Sequence, residues 1–336
     1  MTRQMLFVQA INEALHIAMQ TDPDVILLGE DIAGGGGRED QGIEEAWGGI
    51  MGATKGLYKA FGSQRVLDTP ISEMGFLGVA VGAAATGLRP VAELMFMDFL
   101  GVSLDPLLNQ AAKLRYMFGG KARVPLTVRT SSGAGLRSAA QHSQTLYGIT
   151  TAIPGLKTVC PSTPADAKGL LLASIRDDDP VVFCEPKSLM FTGGEVPEGD
   201  TEVPLGQAAV VREGSDVSLV GVGKTVHVAL EAAEALAAEG TSAEVLDLRT
   251  LQPLDEEAIL ATLAKNGRLV VIDEAPPRCS IASDVAALCV ELGFESLNAP
   301  VRRVTAPHAP VPFSPTLEDL FVPSAQDVID AVRSLS

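Results

Sequence analysis

The chain of 336 residues is longer than one hydrophobic core usually supports, so its length predicts two domains. Its apolar residues, 46% of the total, suffice for both cores, and a formal net charge of −17 leaves no cationic field that would attract nucleic acid. No apolar run approaches the roughly 20 residues that cross a bilayer, and no secretion signal is recognisable at the N-terminus, which predicts a soluble cytoplasmic protein without a membrane partner.

The first half of the chain alternates amphipathic helices with buried strands. Apolar residues at helical spacing over 6–19 precede an apolar run at 25–28 that is typical of a buried strand. This order predicts a mostly parallel sheet covered by helices. Further strands are predicted at 66–67, 91–95, 126–128, 157–159 and 181–184, and further helices at 74–86, 104–117 and 165–176.

Residues 191–204 are rich in Gly, Pro and acids and show neither helical nor strand periodicity, as expected of an interdomain connection. We therefore predict a first domain at 1–190, a linker at 191–204 and a smaller α/β domain at 205–336. In the second domain, strands are predicted at 217–220, 243–246 and 269–272, and helices at 226–238, 256–265, 281–292 and 325–335.

The four cysteines are far apart, with no CxxC pair and no histidine cluster, which predicts reduced and buried thiols rather than a zinc site. They are Cys160, Cys184, Cys279 and Cys289.

Glu73 stands at the entrance of a predicted helix made almost wholly of small and apolar residues. In one interpretation its carboxylate meets the free N–H groups and the positive end of the helix dipole. In the other, apolar surroundings raise its pKa and allow it to share a proton with a heterocycle nitrogen. The glycines behind it each cost about 1 kcal/mol relative to Ala, which predicts the close approach of a helix, a subunit or a ligand. They are Gly75, Gly78, Gly82 and Gly87.

His142 lies in a small-residue loop, 131–144, directly after a predicted strand. Ligands of open α/β sheets bind at the carboxyl ends of strands, so His142 is placed for proton transfer. The alternative is a loop histidine hydrogen-bonded for structure.

Several motifs, occurring in order, resemble the beta subunits of thiamin-diphosphate-dependent 2-oxo-acid and acetoin dehydrogenases. The likeness extends over essentially the whole chain, including 247–255 and 307–312. It implies a transketolase-like pyrimidine-binding domain followed by a transketolase C-terminal domain. The motifs are DTPISEMGFLGVAVGAAATG (68–87), RPVAELMFMDF (89–99), NQAAKLRYMFGG (109–120) and AQHSQ (140–144).

The resemblance assigns roles to particular residues. Glu73 matches the glutamate that hydrogen-bonds the aminopyrimidine of thiamin diphosphate, and Ile71, Met95 and Phe99 match residues that pack around that ring. His142 matches the histidine that acts on the substrate and on transfer to the lipoyl group. In some relatives a potassium ion is bound, largely by backbone carbonyls, at the positions of Leu126, Ser174, Ile175, Asp177 and Asp179, although the run of three aspartates at 177–179 departs from some of them.

The resemblance also implies partners. Thiamin enzymes usually bind the diphosphate through Mg²⁺ and a Gly-Asp-Gly segment, which this sequence lacks. An acidic chain without that segment is poorly suited to a diphosphate, so a separate alpha subunit is expected to hold Mg²⁺ in an alpha2beta2 heterotetramer. A lipoyl-bearing dihydrolipoamide acyltransferase is the further expected partner.

The substrate is predicted from residues 34–55, which look more like acetoin dehydrogenase beta chains than pyruvate dehydrogenase ones. The predicted reaction cleaves acetoin to acetaldehyde and a two-carbon unit that passes to lipoamide. Two alternatives stay open. One is a pyruvate dehydrogenase beta subunit, and the other is a non-catalytic binding module on the same fold.

Overall fold

A computed structural model describes residues 2–34 and 48–335. The elements of the first half are β1 (Thr2–Leu6), α1 (Phe7–Thr21), β2 (Val25–Gly29), α2 (Leu57–Phe61), β3 (Val66–Asp68), α3 (Glu73–Ala85), β4 (Arg89–Phe96), α4 (Leu100–Asp105), α5 (Ala112–Met117), β5 (Thr127–Ser132), α6 (Tyr147–Thr151), β6 (Lys157–Val159), α7 (Pro164–Arg176), β7 (Val181–Pro186) and β8 (Gly193–Pro197).

The second half follows the same alternation of strand and helix. Its elements are β9 (Ala209–Arg212), β10 (Val217–Gly221), α8 (Lys224–Ala238), β11 (Ala243–Asp247), β12 (Thr250–Gln252), α9 (Glu256–Asn266), β13 (Leu269–Asp273), α10 (Ile281–Leu292), β14 (Arg302–Thr305), α11 (Pro315–Phe321) and α12 (Ala325–Arg333).

The larger sheet has the strand order β12-β6-β7-β5-β4-β2-β3, and all its neighbours are parallel except β12 and β6. Every residue of β5 and β7 is buried, because helices cover both faces of a parallel sheet. Helices α1 and α7 pack together in the core on one face, and α3 contributes to the core on the other. The predicted α/β class is confirmed.

The smaller sheet has the order β14-β13-β10-β11-β9, parallel except for the β11–β9 pair. Apolar faces of α8 and α12 pack against one side of it, around Ala229, Leu236 and Val328. A separate core cluster joins residues of both halves, from Leu28 to Cys289, so the two sheets share a buried boundary.

Three features differ from the sequence-based expectations. The segment 191–204, which was expected to be irregular, contains β8, and β8 pairs antiparallel with β1. Strand β1 was not predicted, because the first predicted element begins at residue 6. Strand β12 from the second half extends the first sheet by pairing with β6. The helix predicted at 104–117 begins earlier and is divided, because a π-helical turn at Pro106–Ala111 separates α4 from α5. Pro106, the first residue of this turn, has no backbone N–H that could donate a helical hydrogen bond.

No helix within 2–34 and 48–335 is long and apolar enough to cross a membrane. Most of the glycine run at 34–37 and the Ala46-Trp47 pair, on which the acetoin prediction partly depends, lie outside the described residues.

Candidate active site

The carboxyl ends of β2, β3, β4 and β5 meet at one edge of the larger sheet because these strands are parallel neighbours. Glu30 follows β2 directly, and Glu73 begins α3 after a short connection from β3. The end of β4 carries Met95 and Phe99 follows it, while His142 lies in the loop after β5. Residues far apart in the sequence therefore reach the same edge.

Glu73 is the first residue of α3, and it is half-buried. The preceding Ser72 makes no side-chain capping hydrogen bond, so the carboxylate stands at an otherwise uncapped helix start. Its two apolar neighbours point away from the core, since Ile71 is 85% exposed and Met74 is 59% exposed. Glu73 thus lies on an apolar surface that opens outward from this chain, as expected of half a site.

Glu30 is a buried carboxyl that the sequence-based prediction missed. It is 5% exposed, and its Oε1 atom has no hydrogen-bond partner among the described residues. Burial raises its pKa, and the negative charges of Glu73, Asp31 and Glu93 raise it further. Its position directly after the apolar run of β2, at the ligand-binding edge of a parallel sheet, was the signal that could have identified it.

Aromatic rings bring the end of β4 into contact with His142. The pairing register of β4 with β5 shifts between Leu94 and Phe96, so Met95 lies in a β-bulge, a feature that redirects side chains. The His142 ring packs edge-on against Phe96 and Phe99, with centroids 4.8 and 5.4 Å away. Phe99 and His142 are therefore in contact, the half-buried Met95 lies close by in the chain at the end of β4, and a common role for the three residues stays a prediction.

The His142 imidazole makes no hydrogen bond to any side chain or backbone group within the described ranges. Other histidines differ, because His16 Nδ1 lies 3.2 Å from the Asn12 carbonyl and His227 Nε2 lies 2.7 Å from that of Ser162. A histidine retained for structure would be expected to use its ring nitrogens. The free ring favours the interpretation in which His142 exchanges protons with a ligand.

A buried charge network lies beneath this edge. On three adjacent strands, Arg129 donates to Glu93 at 2.8 Å and to both oxygens of Glu185 at 2.7 and 3.1 Å. Burial opposes the charge on Arg129, but the Glu185 and Glu93 carboxylates raise its pKa above the ordinary value. Because Glu93 also faces Glu30, this network stabilises the strand ends that carry the site.

The glycines of α3 leave open space on this helix. A Cβ atom built at Gly78 or Gly82 would meet nothing within 4 Å, so no part of the described chain approaches there. At Gly75 the added atom would meet only the Ser72 hydroxyl, at 2.8 Å. The close approach predicted for these glycines therefore stays a prediction about a subunit or a ligand.

The residues predicted to bind potassium lie at the opposite, amino-terminal end of the same sheet. Their acceptors already have protein donors. The carbonyls of Ile175 and Asp177 accept from Arg89 at 3.3 and 3.1 Å, and the Leu126 carbonyl accepts from a backbone N–H. Lys157 binds the Asp177 carboxylate, and Arg115 binds that of Asp179. Ser174 directs its hydroxyl to its own helix. An ion here would lie beside a guanidinium, and the potassium site stays a prediction.

Two family models match most of the chain. The model "Transketolase, pyrimidine binding domain" matches residues 3–192. The model "Transketolase, C-terminal domain" matches residues 206–328.

Curated relatives match over nearly full length. The acetoin:2,6-dichlorophenolindophenol oxidoreductase subunit beta of Bacillus subtilis is 58% identical over 335 residues, covering 100% of this chain and 98% of the relative. The subunit of the same name from Cupriavidus necator is 56% identical, covering 99% and 98%. The pyruvate dehydrogenase E1 component subunit beta of Bacillus subtilis is 42% identical over the same shares, 99% and 98%.

Among solved structures, a chain described as "Split gene transketolase, inactive beta4 tetramer" superposes with a TM-score of 0.78 over 98% of both chains. Its sequence identity is 22%, so this likeness concerns the fold alone.

Proposed function

The chain belongs to the family of dehydrogenase and oxidoreductase beta subunits built from transketolase pyrimidine-binding and C-terminal domains, and we propose that it serves an acetoin dehydrogenase complex. The proposal of acetoin as the substrate rests on sequence identity, which is 58% and 56% to the acetoin subunits and 42% to the pyruvate subunit. In the proposed reaction acetoin is cleaved and its two-carbon unit passes to lipoamide on an acyltransferase.

The described edge fits the aminopyrimidine of thiamin diphosphate. Half-buried Met95 and Phe99 offer apolar faces to a ring, exposed Ile71 offers another, and Glu73 offers a carboxyl at an uncapped helix start. The buried Oε1 of Glu30, which accepts no hydrogen bond from the part of the chain that the structure describes, is a further polar atom available at this edge. When bound, thiamin diphosphate supplies a carbon nucleophile and a sink for the electrons of the cleaved bond.

Glu73 would hold and exchange a proton with the pyrimidine nitrogen. Burial raises the pKa of Glu30, and the charge of Glu73 raises it further, so the two carboxyls interact at this edge. His142, whose ring nitrogens make no hydrogen bond to residues 2–34 or 48–335, would move a proton at the substrate oxygen or at the lipoyl sulfur. The aromatic pair Phe96 and Phe99 keeps water from one side of the imidazole.

The diphosphate needs a second chain. The charges that act on Glu30 at this edge are those of the acids Glu73, Asp31 and Glu93, and acids repel a phosphate. We therefore assign Mg²⁺ and the diphosphate to an alpha subunit seated over α3 in an alpha2beta2 tetramer. The open space at Gly78 and Gly82 supports close packing of that partner.

Purification with the alpha-type chain tests the proposed function. We expect the assembled tetramer to use acetoin with a kcat/KM at least about 10-fold above that for pyruvate or 2-oxoisovalerate, and the beta chain alone to be inactive. Faster turnover of pyruvate than of acetoin would identify pyruvate as the substrate instead. Turnover by the beta chain alone would contradict an active site shared with the alpha subunit.

His142→Ala is expected to slow transfer to lipoamide by about 100-fold, because a positioned proton donor is lost. Reduction of 2,6-dichlorophenolindophenol, which needs no lipoyl transfer, should fall less. Both rates are measured on the tetramer. The matched control is His16→Ala, a half-buried histidine on α1, which should leave both rates unchanged. An His142→Ala chain that fails to assemble would favour a structural role.

A further inference from the structure

The loop that carries His142 has little regular structure of its own. Between β5 and α6 the backbone adopts positive φ at Gly133, Gly135, Arg137 and Ala139. Arg137 and Ala139 are not glycines, so the loop holds a conformation that surrounding contacts must enforce. The groups that provide these contacts determine where the imidazole lies.

Lys187 provides the central contact. Its side chain is 1% exposed, and its ammonium group donates to the backbone carbonyl of His142 and, at 3.4 Å, to the hydroxyl of Ser143. The same ammonium lies 5.3 Å from the ring centroid of Phe96, the ring that packs against the His142 imidazole at 4.8 Å. Lys187 therefore contacts both the backbone of His142 and the aromatic ring beside its side chain.

Carboxylates surround this lysine and bind the same loop. Asp98 accepts from the backbone N–H of Gln144 at 3.2 Å, and Glu274 accepts from that of Ala134. Glu318 accepts from the backbone N–H groups of Gly135 and Arg137 at 2.9 and 3.1 Å. The second domain thus supplies two of the three acids.

The charges of the three acids also act on the charge of Lys187. Burial lowers the pKa of Lys187, while the charges of Asp98, Glu274 and Glu318 oppose that shift and favour the ammonium form. Burial also raises the pKa of Glu274 to about 7. Removing the ammonium would take away positive charge that compensates Asp98 and Glu274, whereas Glu318 keeps its ion pair with Arg137 at 2.6 Å.

We propose that Lys187 is a positioning residue for the proposed reaction, holding the His142 loop in the geometry that presents the imidazole to the substrate. The inference rests on the proposed role of His142, although the contact itself does not. Because Lys187 is buried, it acts through the carbonyl of His142 and through Phe96.

Lys187→Met in the assembled tetramer tests the proposal, because Met preserves length and removes the donor. We expect kcat for transfer to lipoamide to fall by about 100-fold while KM for acetoin stays near the wild-type value, since a small misplacement of a catalytic group lowers turnover. Hydrogen–deuterium exchange should accelerate selectively in the amides of residues 133–146.

The matched control is Lys168→Met. Lys168 is also 1% exposed and donates to a backbone carbonyl, that of Pro197 at 2.6 Å, and to Glu13 at 2.8 Å, on a distant face. We expect it to lower stability without changing kcat or exchange at 133–146. The proposal is overturned if Lys187→Met leaves loop exchange unchanged, or if Lys168→Met alters the loop equally.

Measuring His142→Ala in the same assays keeps the two hypotheses apart. If His142→Ala retains full transfer activity while Lys187→Met still loosens the loop, the catalytic role of His142 fails and the positioning contact stands. If His142→Ala loses transfer activity and Lys187→Met leaves the loop unaffected, the positioning role fails alone.

Discussion

Glu73→Gln is expected to reduce turnover of the assembled tetramer by about 1000-fold, since the carboxyl that we propose exchanges a proton with the cofactor is lost while its shape is retained. The substitution removes the negative charge that raises the pKa of Glu30. The apolar residues around position 73 keep their contacts. Turnover is measured on acetoin, and thiamin diphosphate affinity is measured by calorimetry as a readout independent of activity.

The control must separate this role from the helix-start role that the sequence also allows. Glu256 is the first residue of α9, as Glu73 is of α3, and it is exposed. Glu256→Gln should change stability by less than about 1 kcal/mol and leave turnover intact. If Glu73→Gln behaves like Glu256→Gln, the chain is better described as a binding module on this fold. Tetramer assembly is monitored in both variants by mass.

Arg129→Met is expected to lower the free energy of unfolding by about 3–5 kcal/mol, because it leaves the buried carboxylate of Glu185 and the partly buried one of Glu93 without their cation. Glu185 is the more buried of the two, and burial already raises its pKa. Chemical unfolding at a fixed protein concentration measures the loss, since assembly contributes to apparent stability.

A surface arginine supplies the comparison. Arg176 binds Asp200 and Glu202 from a partly exposed position, so Arg176→Met should cost less than about 1 kcal/mol. Adding Glu185→Gln to Arg129→Met should recover part of the loss, because one unpaired charge is removed. Equal losses for Arg129→Met and Arg176→Met would contradict the assigned importance of the buried network.

Local signals located several elements closely. The continuous apolar runs of β2 and β7 and the small-residue helix beginning at Glu73 were predicted within a few residues. Such runs report burial directly, because both faces of a parallel strand are covered. Strand β8, with the sequence Gly-Gly-Glu-Val-Pro, has no such apolar run. Its regular conformation depends on hydrogen bonds to β1, which lies far from it in the chain.

Some residues of the candidate site were likewise identified from the sequence, and others were recognised only in the structure. Glu73 and His142 were identified from motif resemblance and from their positions at strand ends. Glu30 was missed, because its significance arises from the proximity of Glu73 in space, and Lys187 was missed because its partner, His142, lies 45 residues earlier in the chain. Charge coupling of this kind has no signature in periodicity or composition.

From the amino-acid order alone, one can deduce the α/β class, the place of the acid at the start of α3 and the absence of a Gly-Asp-Gly segment, since each depends on residues near one another in the chain. Tertiary folding decided which carboxyl meets Glu73, which lysine holds the His142 loop and that β12 completes the first sheet. Those contacts join distant segments, and their energies exist only once desolvation and packing have placed the charges side by side.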